Sequence, residues 1–414
     1  MAKTKPQHGR TKSQKHKKSS NAKPERSPEA LLTEATTLLA TGRPADALTL
    51  AQRALSLLQL NPTEPTIAVL PALNLLGEIH VELGDVENAR EYFSKAVEVD
   101  PDGKAPEEQG GGAEKLFWLA QLSEEGGKDS VGWFERGVGV LRGEIGELEG
   151  ILGGKSAGKA ATGGKSWRKW QLLLEEKRRK LAHALCAVAE IYMTDLSWEE
   201  DAEARCEALA TEALMVAPES PEPLQTLASV RISQLKVEDA RAALSRSIAL
   251  WKDLDPEDPK VPDFSTRISL ARLLMEAEME EDALEVLERL ITEDDHSVEA
   301  WYLGGWCLHL LAGKRKKAGD ISQTAQAGAA DDEDTVKALL KASREWLQNS
   351  LRLYQALDYE DERLRDHAVE LVKELNNILG PANEREDEDE GEWEDADDAE
   401  DAEDGAEDEE MEES

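Results

Sequence analysis

Apolar residues in this chain recur at helical spacing, and small residues recur at a longer period laid over it. Between Leu70 and Pro101, Gly77, Ala89 and Ala96 stand twelve and then seven residues apart, with Leu73, Leu76 and Phe93 among them. Two antiparallel helices that approach closely need small side chains where they cross and large ones beside the crossing. Pro101 then ends the second helix, because it cannot donate to the backbone ladder. The same interval places Ala35, Ala47 and Ala54 in an earlier copy, and Ala228, Ala240 and Ser247 in a later one. Ala271 and Ala283 repeat its first half.

Other copies are stretched or shortened in their turns. Ala120 with Gly137 lacks about two turn residues, and Ala189 with Cys206 and Ala213 carries an insertion near Ser197. A last copy opens with Trp301, Gly305 and Leu308 and resumes at Ser343, Leu347 and Ser350. Each unit of such an array buries its apolar face only by stacking on its neighbours. The pattern predicts an all-α, right-handed superhelix (an α-solenoid) of about seven helix pairs over residues 28–380. A capping helix is expected over Glu362–Leu379, with Leu364, Ala368, Leu371, Leu375 and Ile378 as its apolar stripe.

The ends read differently. Residues 1–27 are rich in Lys, Ser and Gln, and 381–414 are mostly Asp, Glu, Ala and Gly, with Trp393 standing alone. Neither stretch can bury enough apolar surface to offset the entropy of ordering, so a basic and an acidic disordered tail are expected. Flexible insertions are expected near 153–166 and 313–334. The Lys12–Lys18 cluster fits a nuclear localisation patch or a solubilising arm, and the first reading makes nuclear import machinery a partner.

Charge narrows the function. The chain of 414 residues carries a formal net charge of −38, which repels phosphate and attracts basic polypeptides. Direct nucleic-acid binding is therefore not expected. No apolar run reaches the ~20 residues that cross a bilayer, and the three cysteines show neither disulfide nor zinc spacing. No membrane contact is expected, and a cytoplasmic and nuclear location fits best.

Enzyme chemistry finds little support. Two GKS triplets, Gly154-Lys155-Ser156 and Gly164-Lys165-Ser166, suggest a phosphate loop. Such a loop needs a glycine five residues before its GK glycine, where Glu149 and Lys159 stand instead. His183 and Cys186 share a helix face, but two ligands do not make a zinc site. No catalytic residue, metal or cofactor is expected.

In a stack of helix pairs, the first helix of each pair lines the inner face. The register places Asn74, Glu78, Glu82, Glu114, Phe117, Glu124, His183, Cys186, Glu190, Gln225, Ser229, Arg272, Glu276, Glu299, Tyr302 and Trp306 there. Carboxylates mixed with aromatic rings suit an extended Lys- and Arg-rich segment.

The repeat period from Leu70 to Pro101 resembles the tetratricopeptide signature. The Lys-rich start, seven such repeats, a Gly- and Lys-rich insertion near Gly153 and the end GEWEDADDAEDAEDGAEDEE together resemble the fungal tetratricopeptide chaperones dedicated to the fourth large-subunit ribosomal protein. That resemblance implies a basic internal loop of the ribosomal protein as ligand, escort to the nucleus and release on the assembling large subunit. Acidic histone chaperones of the same fold and generic repeat scaffolds are the alternatives. The insertion here is basic and glycine-rich rather than acidic, which favours the ribosomal client.

Overall fold

A computed structural model describes residues 26–59, 66–156, 165–322 and 329–380. Most of the expected basic tail and all of 381–414 lie outside them, as do 157–164 and 323–328. Among the described residues there are fifteen α-helices, two short 3-10 turns and no strand.

The first compact unit, which ends at Val230, holds α1 (Pro28–Ala40), α2 (Pro44–Leu58), α3 (Leu70–Glu82), α4 (Val86–Val99), α5 (Glu114–Gln121), α6 (Gly127–Ser156), α7 (Lys165–Met193), α8 (Ala202–Val216) and most of α9 (Pro221–Ser233). Sequence-adjacent helices pack in pairs from α1/α2 to α7/α8, and α2 and α4 also pack on the helices that follow them. Helix starts are set locally: Ser27 Oγ accepts from the Ala30 amide beside Pro28, and Asp85 caps α4 by accepting from Asn88 N. Gly42 and Gly84 close the first two intra-pair turns at φ +70° and +71°, a conformation that costs glycine little.

The repeat interval lands on the crossings. Ala35, Ala47, Ala54, Ala89 and Ala96 are fully buried, and Gly77 faces the ring of Phe93. Where the interval is stretched, Cys206 Sγ reaches the Ala189 carbonyl at 3.5 Å, so the insertion is absorbed by the turn at 194–201. Between α4 and α5, residues 101–113 form a loop with left-handed glycines at 103, 110 and 112. Asp100 holds its near end, accepting from the amides of Lys104 and Ala105 and from the fully buried Lys115 ammonium at 2.9 Å.

The second unit, from Arg231, contains α10 (Val237–Ala249), α11 (Phe264–Glu276), α12 (Glu280–Glu293), α13 (Val298–Ser322), α14 (Ala329–Ala356) and α15 (Glu362–Leu379). The register again holds. Ser343 Oγ donates to the Gly305 carbonyl at 2.7 Å and Ser350 Oγ to that of Val298 at 2.9 Å, so two buried hydroxyls stitch α14 to α13. Asp361 caps α15, which packs on α14 and α13 and buries Leu364, Ala368, Leu371 and Leu375. Ile378 departs from the expected stripe: it is 55% exposed.

Two helix pairs are longer than the repeat requires. Helix α6 continues to Ser156 and α7 begins at Lys165, so both ends of the expected 153–166 insertion are helical. Likewise α13 runs to Ser322 and α14 starts at Ala329. The described parts of these Gly-, Ala- and Lys-rich runs are helical because each extends a helix already nucleated by packed turns.

Candidate functional site

The first helices of the 26–230 unit carry a run of carboxylates. Glu78 on α3 is half-buried, and Glu82, Glu114, Glu124 and Glu190 are exposed. Helices α3 and α5 bring Glu78 and Glu114 close enough to repel. Burial, with that repulsion added, raises the Glu78 pKa above the usual carboxylate range. On α7, Glu190 is raised in the same direction by desolvation, which the neighbouring His183 only partly offsets. Neither the Glu78 nor the Glu190 carboxylate forms a hydrogen bond or ion pair with any described residue. Glu78 has no cation beside it among the described residues, and Glu190 has only the neighbouring His183.

Nearby carboxylates are neutralised. Lys177, almost wholly buried in α7, bridges Glu107 at 2.9 Å and Glu144 at 2.8 Å. Burial would lower its pKa, but the two carboxylates outweigh that and raise it. Lys180 pairs with Glu176 and Glu107, which ties the 101–113 loop to α7. This strap escaped the sequence reading. A lysine on an otherwise apolar helical stripe is the signal that could have found it.

Several expected groove residues have other occupations. Phe117 is a correction: it lies in the core against Phe134, ring centroids 5.8 Å apart, and Gly137 leaves space for its edge. Gln225 is also buried rather than presented. Cys186 is covered on α7, and burial pushes its thiol up to about 12. Asn74 donates from Nδ2 to the Gly110 carbonyl at 2.8 Å, so it anchors the loop. Ser229 is half-buried, and Glu124 is paired with Arg90.

In the second unit, Arg272 pairs with Glu299, and Glu276 remains exposed. Tyr302 and Trp306 pack against α15 while staying partly exposed. Tyr302 Oη lies 2.6 Å from His367 Nδ1, and the Trp306 ring meets His367 edge-on at 5.1 Å. These two rings dock the terminal helix and keep part of their surface exposed.

Comparison with known proteins fits this architecture. The tetratricopeptide repeat family matches residues 27–102. A protein of Emericella nidulans named as a probable assembly chaperone of rpl4 is 52% identical over 376 residues, spanning 89% of this chain and 88% of that one. A Schizosaccharomyces pombe protein of the same name is 35% identical, over 78% of this chain and 85% of the relative. This chain belongs to the rpl4 assembly chaperone family. A solved structure of the assembly chaperone of RpL4 (Acl4), residues 1–338, shares 54% identity with a TM-score of 0.62 and covers 71% of this chain and 99% of that one. The family consists of tetratricopeptide assembly chaperones, not enzymes. The expectations of an all-α repeat fold and of a non-catalytic chain both hold. Glu78 and Glu190 are the carboxylates of this face whose pKa burial raises while no ion pair holds them.

Proposed function

We propose that this chain is a dedicated chaperone of the large-subunit ribosomal protein rpl4. On this reading, the first-helix face around Glu78, Glu82, Glu114 and Glu190 holds a Lys- and Arg-rich extended loop of the client. Support comes from the names of its relatives and from one observation above all: Glu78 is half-buried beside Glu114 with no cation of its own. An ammonium or guanidinium delivered there removes both the desolvation penalty and the repulsion. Sheltering such a loop keeps it from stray polyanions. Release follows when ribosomal RNA, with its denser array of phosphates, takes over the same cations.

The basic Lys12–Lys18 cluster would recruit import machinery, placing the chaperone in both cytoplasm and nucleus. The decisive experiment is calorimetric titration of purified rpl4 into the chain at low salt. Glu78→Lys with Glu82→Lys should weaken binding by tenfold or more, since like charges across an interface cost several kcal/mol, with helical circular dichroism unchanged. Undiminished affinity would refute this face as the binding site.

A further inference from the structure

The exposed start of α7 runs against the charge of the rest of the molecule. From Trp167 to Leu173 the sequence is WRKWQLL. Its Trp167 is 40% exposed and its Leu172 66% exposed. Arg168, Lys169, Leu172, Leu173 and Glu176 line a cleft of about 420 Å³ along this face. Arg168 and Lys169 form no ion pair with any described residue. Two cations with no ion-pair partner among the described residues thus flank a leucine-lined trough in a chain of net charge −38, and an exposed apolar patch rimmed by polar residues marks a binding surface.

The chemistry of the trough selects its occupant. Leucine surface needs an apolar anchor, and the two cations need carboxylates on either side of it. A phosphodiester chain would meet only two cations, together with Glu176 and leucine. The stretch Glu384–Ser414 supplies the matching pattern: twenty-one carboxylates against one arginine, and a single aromatic side chain, Trp393, set between Glu392 and Glu394. We propose that this acidic segment docks on the 167–176 face of α7, with Trp393 in the leucine trough and its flanking carboxylates on Arg168 and Lys169. The contact covers exposed leucine. It also draws part of the tail's negative charge to one place on the unit that carries Glu78 and Glu190.

Zero-length carbodiimide coupling on the full chain at low salt, followed by peptide mapping of the monomer band, tests this directly. Lys169 should be linked to carboxylates within 386–401 at least fivefold more often than Lys104, whose side chain is 81% exposed on the same unit. Arg168→Glu and Trp393→Ala should each cut the Lys169 adducts severalfold while Lys104 adducts stay constant. Both substitutions fall at positions with no packing role in the described residues, and unchanged circular dichroism would confirm that the fold survives. Equal labelling of Lys169 and Lys104, or adducts concentrated on Lys12–Lys18, would overturn the proposal. Lys169 adducts found only in a dimer band would replace it with an association between copies. Protection of Lys169 by single-stranded RNA, without tail adducts, would replace it with an RNA site.

Discussion

Gly77 and Phe93 compete for one volume: a Cβ placed on Gly77 would lie 2.5 Å from Cζ of the fully buried Phe93 ring. In mid-helix, alanine would ordinarily improve on glycine by about 1 kcal/mol. Here the overlap reverses the sign, and Gly77→Ala should destabilise the chain by about 1–3 kcal/mol. Urea denaturation would measure it. Adding Phe93→Leu should recover part of the loss, so the double variant should be more stable than the sum of the two single changes. Strict additivity would show that the crossing is not the source of the cost.

The crossings were legible because sterics at a helix contact depend only on which residue occupies a fixed position. The same logic found Ser343 and Ser350, whose hydroxyls satisfy carbonyls of the neighbouring helix. It failed for Phe117, because α5 has only eight residues and its shortened turn shifts which face looks inward. It did not foresee that Tyr302 and Trp306 also pack on α15, since their partner His367 is about sixty residues away in sequence. The Lys177 strap was invisible for a related reason: its partners Glu107 and Glu144 sit on a loop and on a different helix. Periodicity reports a residue's own helix and says nothing of what covers it.

Leu235 occupies the turn position that Gly42 and Gly84 hold in the first two pairs, with φ +59°. Its side chain is 86% exposed, so packing does not compensate the strain of about 1–2 kcal/mol that a left-handed residue with a Cβ carries. Leu235→Gly should therefore stabilise the chain, by about 0.5–1 kcal/mol after the greater freedom of glycine when unfolded is subtracted. The denaturation midpoint would rise. A fall would mean that the leucine has a partner outside this chain.

Lys115 and Asp100 form a buried ion pair whose side chains are 0% and 8% exposed. The lysine also donates to the Gly112 carbonyl, so one ammonium pins both ends of the 101–113 loop. Lys115→Met would strand the Asp100 carboxylate with only two backbone amides. Breaking a buried pair from one side costs about 3–5 kcal/mol, and limited proteolysis should then cut within 101–113 well before other turns. Because Glu107 travels with this loop, the Lys177 bridge should loosen as well. Unchanged cleavage would place the anchor of the loop elsewhere.

Burial pushes the Cys186 and Cys307 thiols up to about 12, and the thiolate is the form that alkylates. Iodoacetamide at pH 8 should leave both unmodified in the native chain and label them rapidly in urea, as read by mass spectrometry. Fast native labelling of either would show that its helix pair opens far more readily than this packing allows.

Glu78 links stability and binding through a single proton. Its folded pKa is raised above 4.5 by burial and by Glu114, so the folded chain holds this proton more tightly than the unfolded chain does. Stability from this group is therefore present in acid and declines as pH rises from 4.5 through the raised value. Glu78→Gln should accordingly make the free chain slightly more stable at pH 7. Binding has the opposite sign. A client cation beside Glu78 favours the carboxylate and lowers its pKa in the complex, so binding releases a proton. Affinity should then fall as pH drops through the raised value and stay level above it. Lysine and arginine of the client do not titrate in that range, and any client histidine would affect wild type and Glu78→Gln alike. The difference between their two pH profiles, measured at constant salt, isolates Glu78. Parallel profiles would mean that no client cation reaches this carboxylate, and that the acidic face binds through Glu190 or not at all.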